Sequence, residues 1–138
     1  MDERKGLTVQ FVLGTEPRDE YYAFELAHAA HKLVSEVRPL KPGQQVLITA
    51  DTAADERVVR ATASATLAVG GVPTVMIYPT LAQPMLPPPT PVAAAAAAAE
   101  VWFDFAVAYQ LYSPAYHAAI KNGCIYVCLT GMDVDMMV

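Results

Sequence analysis

Four polar or aromatic side chains sit where a sheet protein could do chemistry. They are Asp51, at the end of the apolar run QVLITA, and Tyr109, Gln110 and Tyr112, in the loop AYQLYS after the run VWFDFA. An aromatic-amide loop of that kind can stack on a small ring or a peptide and hydrogen-bond to it. Thr52, Tyr78 and residues 131–135 fall at equivalent places after other apolar runs. No complete catalytic set accompanies them. Glu25, His28 and His31 follow one another at i, i+3 and i+6, and a Glu-x-x-His pair does occur in carboxylate-bridged metal sites. At ~100° per residue the three fall within an arc of about 120°, opposite the apolar stripe of the same helix. That is a solvated polar face, or one docked on another domain. Asp133 and Asp135 alone supply too few oxygens for a cation. His117 stands alone. Ser113 lacks the neighbours of a nucleophile elbow and is better placed to cap a helix. We therefore assign no catalytic residue and no metal ligand to this sequence.

The elements that would position these residues can be read from periodicity. A β-prone run covers 7–13. A helix is predicted over 17–37, with Pro17 at its first turn and acids next to it, and with Tyr22, Leu26, Ala29, Leu33 and Val37 as its buried stripe. A strand over 45–50 is apolar throughout, so both its faces are predicted to be covered. Thr52 is predicted to cap the next helix, with Asp55 three residues on, and Val58, Ala61, Thr62, Ala65 and Val69 face inward. Gly70-Gly71 stops that helix, and a second strand spans 72–78. The proline-rich stretch 79–91 is an extended connection. Thr90-Pro91 and Ser113-Pro114 each open a helix, and strands over 101–106 and 124–130 come after them.

This alternation predicts an α/β fold: a Rossmann-like three-layer sandwich with a mostly parallel sheet, formed by residues 1–138 as a single domain. In such sheets ligands bind beyond the carboxyl ends of the strands. The first βα turn, ADTAADE, lacks the glycines that let backbone approach a pyrophosphate. Asp55 and Glu56 also put negative charge at the positive end of the helix dipole. The chain thus lacks a phosphate-binding glycine loop, and NAD, FAD and ATP are not expected at this turn.

Composition narrows the class further. The net charge is −5 and the nine Lys and Arg residues are scattered, which excludes an electrostatic nucleic-acid or anionic-membrane binder. With 54% hydrophobic and 17% charged residues, the chain can bury a core. No apolar run is long enough for a membrane span and the start is not a secretory leader, so a cytoplasmic protein is expected. Cys124 and Cys128 lie on one side of a predicted strand, roughly 13 Å apart, too far for a disulfide. Two free, buried thiols are expected.

Two long stretches carry a resemblance. They are LVSEVRPLKPGQQVLITADTAADERVVRATASATLAVGGVPTVMIYP and VWFDFAVAYQLYSPAYHAAIKNGCIYVCLTGMDVDMMV, with LKPGQQVLI and GCIYVCLTGMD the most telling parts. From Pro17 on, the chain resembles the N-terminal domain of a two-domain metalloenzyme family. That family contains the leucyl-aminopeptidase-like (aminopeptidase T type) metallopeptidases and the iron-dependent, ring-cleaving 2,5-dihydroxypyridine 5,6-dioxygenases. The resemblance implies that carboxylate and histidine ligands for a divalent metal (Fe, Zn or Co) belong to a C-terminal domain, which is absent from this sequence. No cofactor is then expected in this chain itself. The N-terminal domain would wall the substrate cleft, with Tyr109, Gln110, Tyr112 and Asp51 facing substrate, and would be inactive alone. Its partner would be the C-terminal domain or a second copy, and a homo-oligomer is expected. The alternative is a stand-alone α/β binding or self-assembly module, and a third reading is an independent enzyme with its site at the strand ends. Peptidase and dioxygenase chemistry both remain open at this point.

Overall fold

A computed structural model of the chain describes residues 16–138. The β-prone run predicted over 7–13 lies outside the described residues. Its neighbour, residues 17–22, is a turn rather than the start of a helix. The reason is a competing donor. The Arg57 guanidinium takes the carbonyls of Glu16 and Arg18 (2.8 Å to the latter), and these would otherwise accept from the first helical amides.

Helix α1, Ala23–Lys32, starts only after Tyr22, which adopts a left-handed backbone at φ 50. It runs into a π-helical turn, Leu33–Val37. The extra residue in that turn rotates the end of the helix about its axis. Leu26, Ala30, Leu33 and Val34 are therefore the buried positions, whereas Val37 is 70% exposed and Tyr22 is also exposed. The predicted stripe holds at Leu26 and Leu33 and fails at Tyr22 and Val37.

Strand β1, Gln45–Asp51, is buried from Val46 onward, as its unbroken apolar run requires. Helix α2, Glu56–Ala68, is capped by Asp55, whose carboxylate accepts the Arg57 amide at 3.0 Å. Thr52 is not the cap. The Asp51 carbonyl and carboxylate hold Ala54 and Ala53, which lengthens the turn, and the Thr52 hydroxyl pairs with that of Thr80 at 3.1 Å. Inside α2, Thr62 and Thr66 bond back to the Val58 and Thr62 carbonyls (both 2.8 Å), so the hydroxyls enter the core satisfied. Gly70 closes the helix with a left-handed backbone at φ 93, and the next residue must also be glycine because a Cβ on Gly71 would lie 2.9 Å from Thr66 Cγ2.

Strand β2, Val72–Tyr78, leads through the proline-rich connection to α3, Thr90–Ala98. Pro89, not Thr90, is the N-cap, and Thr90 is already helical with no side-chain cap. Strand β3, Val101–Asp104, is fully buried and ends early, because the Asp104 carboxylate takes the Ala106 amide and turns the chain. Helix α4, Pro114–Lys121, is capped by Ser113, which accepts the Tyr116 amide at 3.1 Å, as predicted. Strand β4, Ile125–Cys128, is shorter than predicted, and a short helix α5, Val134–Met137, capped by Asp133, comes after it unannounced. Cys124 is buried but Cys128, at the strand's end, is exposed, so only one of the two expected buried thiols is found; both are free.

The sheet order is β2-β1-β3-β4, with every pairing parallel. Helices α1, α2 and α5 cover one face, packing Leu26, Ala30, Val58 and Val134 against Ile48 and Phe103. Helices α3 and α4 cover the other, where Ala96, Ala115 and Ala119 close over Leu47 and Trp102. The alanine run thus has a packing role: small side chains let α3 approach the indole closely. This is the predicted Rossmann-like α/β sandwich. Among the described residues no helix is long and apolar enough to cross a membrane.

Candidate functional site

The chain leaves β1 toward β2 over one face and reaches β3 from β2 over the other. The crevice where these directions part, beyond the carboxyl ends of β1 and β3, is where such folds bind ligands. A cleft of about 520 Å³ lies there, with Ala53, Arg57, Arg60, Val107, Gly131 and Asp133 among its walls. Arg57 is buried in it. Its guanidinium grips Asp55 through two contacts, Nε–Oδ1 at 3.0 Å and Nη2–Oδ2 at 2.9 Å, and lies 5.8 Å from the Tyr21 ring centre. Burial works to raise the Asp55 carboxyl, but the Arg57 hydrogen bonds and charge outweigh it and hold the group below its ordinary range. Asp19, Asp55, Glu56 and Asp133 line the cleft against only two arginines, and Arg60 is itself paired with Asp19 at 3.2 Å. The balance disfavours an anion, in keeping with the missing glycine loop.

Beside the cleft, on the face of α3 and α4, a row of ionisable groups crosses the sheet under the loop that leaves β3. Asp104 is its centre and is fully buried. Its Oδ1 accepts the Thr49 hydroxyl (3.0 Å) and the Ala106 amide (3.1 Å), and its Oδ2 accepts the Gln110 amide (2.9 Å) and the Tyr126 hydroxyl (2.5 Å). Thr49 in turn accepts the Trp102 indole N–H at 2.8 Å. Burial pushes the Asp104 carboxyl up, with the four donors pulling the other way. Burial, then the Asp104 charge, also pushes the Tyr126 phenol up. Tyr126 stacks edge-on against Trp102 at 4.8 Å and against Tyr116 at 5.1 Å, and Tyr116 meets Tyr112 at 5.6 Å. An aromatic ladder therefore runs from the core to the surface.

The four residues singled out from the sequence divide into two pairs. Asp51 and Gln110 are buried and hold the loop. Asp51 accepts the Ala53 amide at 3.2 Å and the Ala108 amide at 2.9 Å, and Gln110 donates from Nε2 to the Leu86 carbonyl at 3.1 Å. Tyr112 is 62% exposed with a left-handed backbone at φ 65, and Tyr109 is half-buried. None of the four lines the 520 Å³ cleft, whose walls come mainly from residues 53–57 and 131–133, with Pro17, Asp19, Arg60 and Val107. Two buried polar atoms here, the Tyr78 hydroxyl and Gln110 Oε1, have no hydrogen-bond partner among the described residues. Asp104 was missed by sequence reasoning. Its signal was an acid at the end of the otherwise apolar run VWFD.

The histidines are not gathered. Glu25 and His28 border a groove on one flank of α1, and His31 borders another toward α2. No group of three or more His, Cys, Asp or Glu stands close enough to share a metal ion among the described residues.

No protein-family model matches the chain, and no curated protein does. Among solved structures, the 2,5-dihydroxypyridine dioxygenase of Pseudomonas putida KT2440 is similar, with a TM-score of 0.63 and 18% sequence identity over 77% of this chain. The match spans 34% of that enzyme's chain, about a third of its length. At this identity the likeness is one of fold.

Proposed function

We propose that residues 16–138 are the substrate-wall unit of a metal-dependent ring-cleaving enzyme of the dihydroxypyridine dioxygenase type. The observation that carries this reading is the fold shared with such a dioxygenase, whose chain is much longer than the matched unit. The divalent metal, iron in this reading, would be held by residues outside 16–138. The unit itself contributes shape. Asp51, Asp104 and Gln110 fix the loop after β3, and that loop presents Tyr109 and Tyr112 toward a flat aromatic ligand at the sheet's carboxyl end. The similar structure is that of a dioxygenase, so ring cleavage is the preferred chemistry of this reading. The alternative, a stand-alone binding or self-assembly module, is favoured by an apolar groove along α1.

Amide chemical shifts of the isotope-labelled chain, recorded with added 2,5-dihydroxypyridine and separately with leucine amide, test the proposal. The expected result is shifts confined to residues 53–57, 107–112 and 131–133 with the hydroxypyridine only, lost in Tyr112→Ala, and no turnover by this chain with ferrous iron. Shifts elsewhere, an equal response to leucine amide, or iron-dependent turnover by this chain alone would each overturn it.

A further inference from the structure

The flank of α1 that carries Glu25 and His28 also carries an apolar surface. A groove of about 790 Å³ lies between α1 and α5, with Leu33, Val37, Met132, Met136 and Met137 among its walls. Phe24 borders it and is 91% exposed, and Met136 is 65% exposed. Contiguous apolar surface of this kind marks a contact site. The groove shares only Met132 with the cleft at the carboxyl end of the sheet, so the two are separate features.

Charge along the same flank has a definite order. Glu25 and Lys32 both border the groove, both are exposed, and they stand about two turns apart on α1. Ala29, between them and half-buried, leaves room for a second helix to approach. When a second α1 lies antiparallel on the first, with a twofold axis between His28 and Ala29, Glu25 meets Lys32 of the second copy and Lys32 meets its Glu25. Phe24 then arrives opposite Leu33 of the second copy, about one turn from Val37, at the mouth of the other groove. A parallel pair would instead set Glu25 on Glu25 and Lys32 on Lys32, and like charges so placed repel.

One face therefore complements itself after a twofold rotation. A projecting ring meets an apolar groove, and each charge meets its opposite, which is what an isologous interface requires. The methionines suit the task, because their unbranched thioether side chains adapt to an inserted ring and make favourable sulfur–aromatic contacts. We propose that a second copy of this chain occupies the groove, with α1 antiparallel on α1 and each Phe24 seated between Val37 and Met136 of the other copy. The charge pairs set direction and register, and the buried ring supplies the contact that holds the copies together. This pairing belongs to the self-assembly reading and is independent of any ligand at the carboxyl end of the sheet.

Sedimentation equilibrium of the full chain, from about 1 to about 100 μM, tests the pairing. The expected result is a monomer–dimer equilibrium that F24D shifts toward monomer by roughly tenfold or more. E25K and K32E should each weaken self-association about tenfold, since two symmetric pairs turn from attraction to repulsion. An equimolar mixture of the two variants should dimerise as tightly as the wild type, because each offers the other only opposite charge. Isotope-filtered Overhauser contacts should join the Phe24 ring to the Met136 methyl group of a differently labelled copy. A monomer throughout the range, a dimer indifferent to F24D, a mixture that stays monomeric, or contacts that reach the groove from residues 1–15 of the same copy would each overturn the proposal. Should F24D fail to fold, the charge-exchange mixture and the wild-type contacts still decide.

Discussion

Asp104 is where a single atom exchange has the most to reveal. Replacing it with asparagine keeps the shape and swaps one carboxylate oxygen for an N–H₂ group. All four of its partners donate to it. The Thr49 and Tyr126 hydroxyls can turn and accept, but the Ala106 and Gln110 amides cannot. Whichever way the new amide points, one backbone N–H faces another donor. A stranded buried donor costs about 1–3 kcal/mol. For a chain of this size each kcal/mol moves Tm by roughly 3–5 °C, so D104N should melt about 3–15 °C lower. Tyr126 allows a sharper test, because its hydroxyl sits 2.5 Å from Oδ2. Y126F removes a hydrogen bond to a charged acceptor and should cost about 1.5–3 kcal/mol in the wild type, but much less on the D104N background. Denaturant unfolding of the four proteins of this cycle should give a coupling of about 1 kcal/mol or more. Additivity within about 0.3 kcal/mol, or an unchanged Tm in D104N, would refute the idea that this carboxylate organises the loop. The pH dependence has a fixed sign. A carboxyl raised on folding contributes stability that is fully present below its unfolded value of about 4 and is lost as pH rises through the folded value. The stability gap between wild type and D104N should therefore widen as pH falls through the raised folded value of Asp104.

Arg57→Met removes the anchor of residues 16–18 and leaves Asp55 without its partner, and should cost about 2–3 kcal/mol in a urea melt, below the range for a fully buried pair because Asp55 is partly exposed. Asp55 has the opposite linkage to Asp104: its contribution is present above its unfolded value near ~4 and is lost as pH falls through its lowered folded value, so acid melts of R57M should lose that limb. Ser113→Ala removes a cap that is satisfied at 3.1 Å and should lower stability by about 1 kcal/mol in thermal melts, with the loop after β3 loosened in amide exchange. A thiol reagent should modify exposed Cys128 promptly, while Cys124, buried and with its thiol pushed up to about 11, should react only on unfolding; equal rates for the two would contradict the packing of β4.

The layered fold was legible because its signals were strong and local. An unbroken apolar run announced β1, and Ser113-Pro114 announced α4, since a cap and a helix-compatible proline need nothing from the rest of the chain. Errors arose where a distant group decided. Nothing near Pro17 says that Arg57, some forty residues on, will take the carbonyls a helix would have used. No periodicity shows the extra residue of the π turn that moves Val37 out and Val34 in. The candidate site was half visible for the same reason. The aromatic-amide loop was evident as a string of residue types, but the carboxylate that holds it down belongs to a strand. That carboxylate gains its partners from β1, β4 and the loop only once the sheet is assembled.

An all-parallel sheet also governs how this molecule comes together. Val46 finds one neighbour in Pro73 and the other in Val101, so no strand can zip onto the one made just before it without a helix closing in between. The Tyr21 hydroxyl bond to Asp135, at 2.6 Å, spans almost the whole described chain. Loop-closure entropy must be met before any of these contacts returns energy, so assembly is slow and strongly cooperative. β2, at one edge of the sheet among the described residues and with Val75 and Ile77 exposed, can recruit strands from other molecules. The rate at which the chain closes, as much as its final stability, thus sets how much of it escapes aggregation during synthesis.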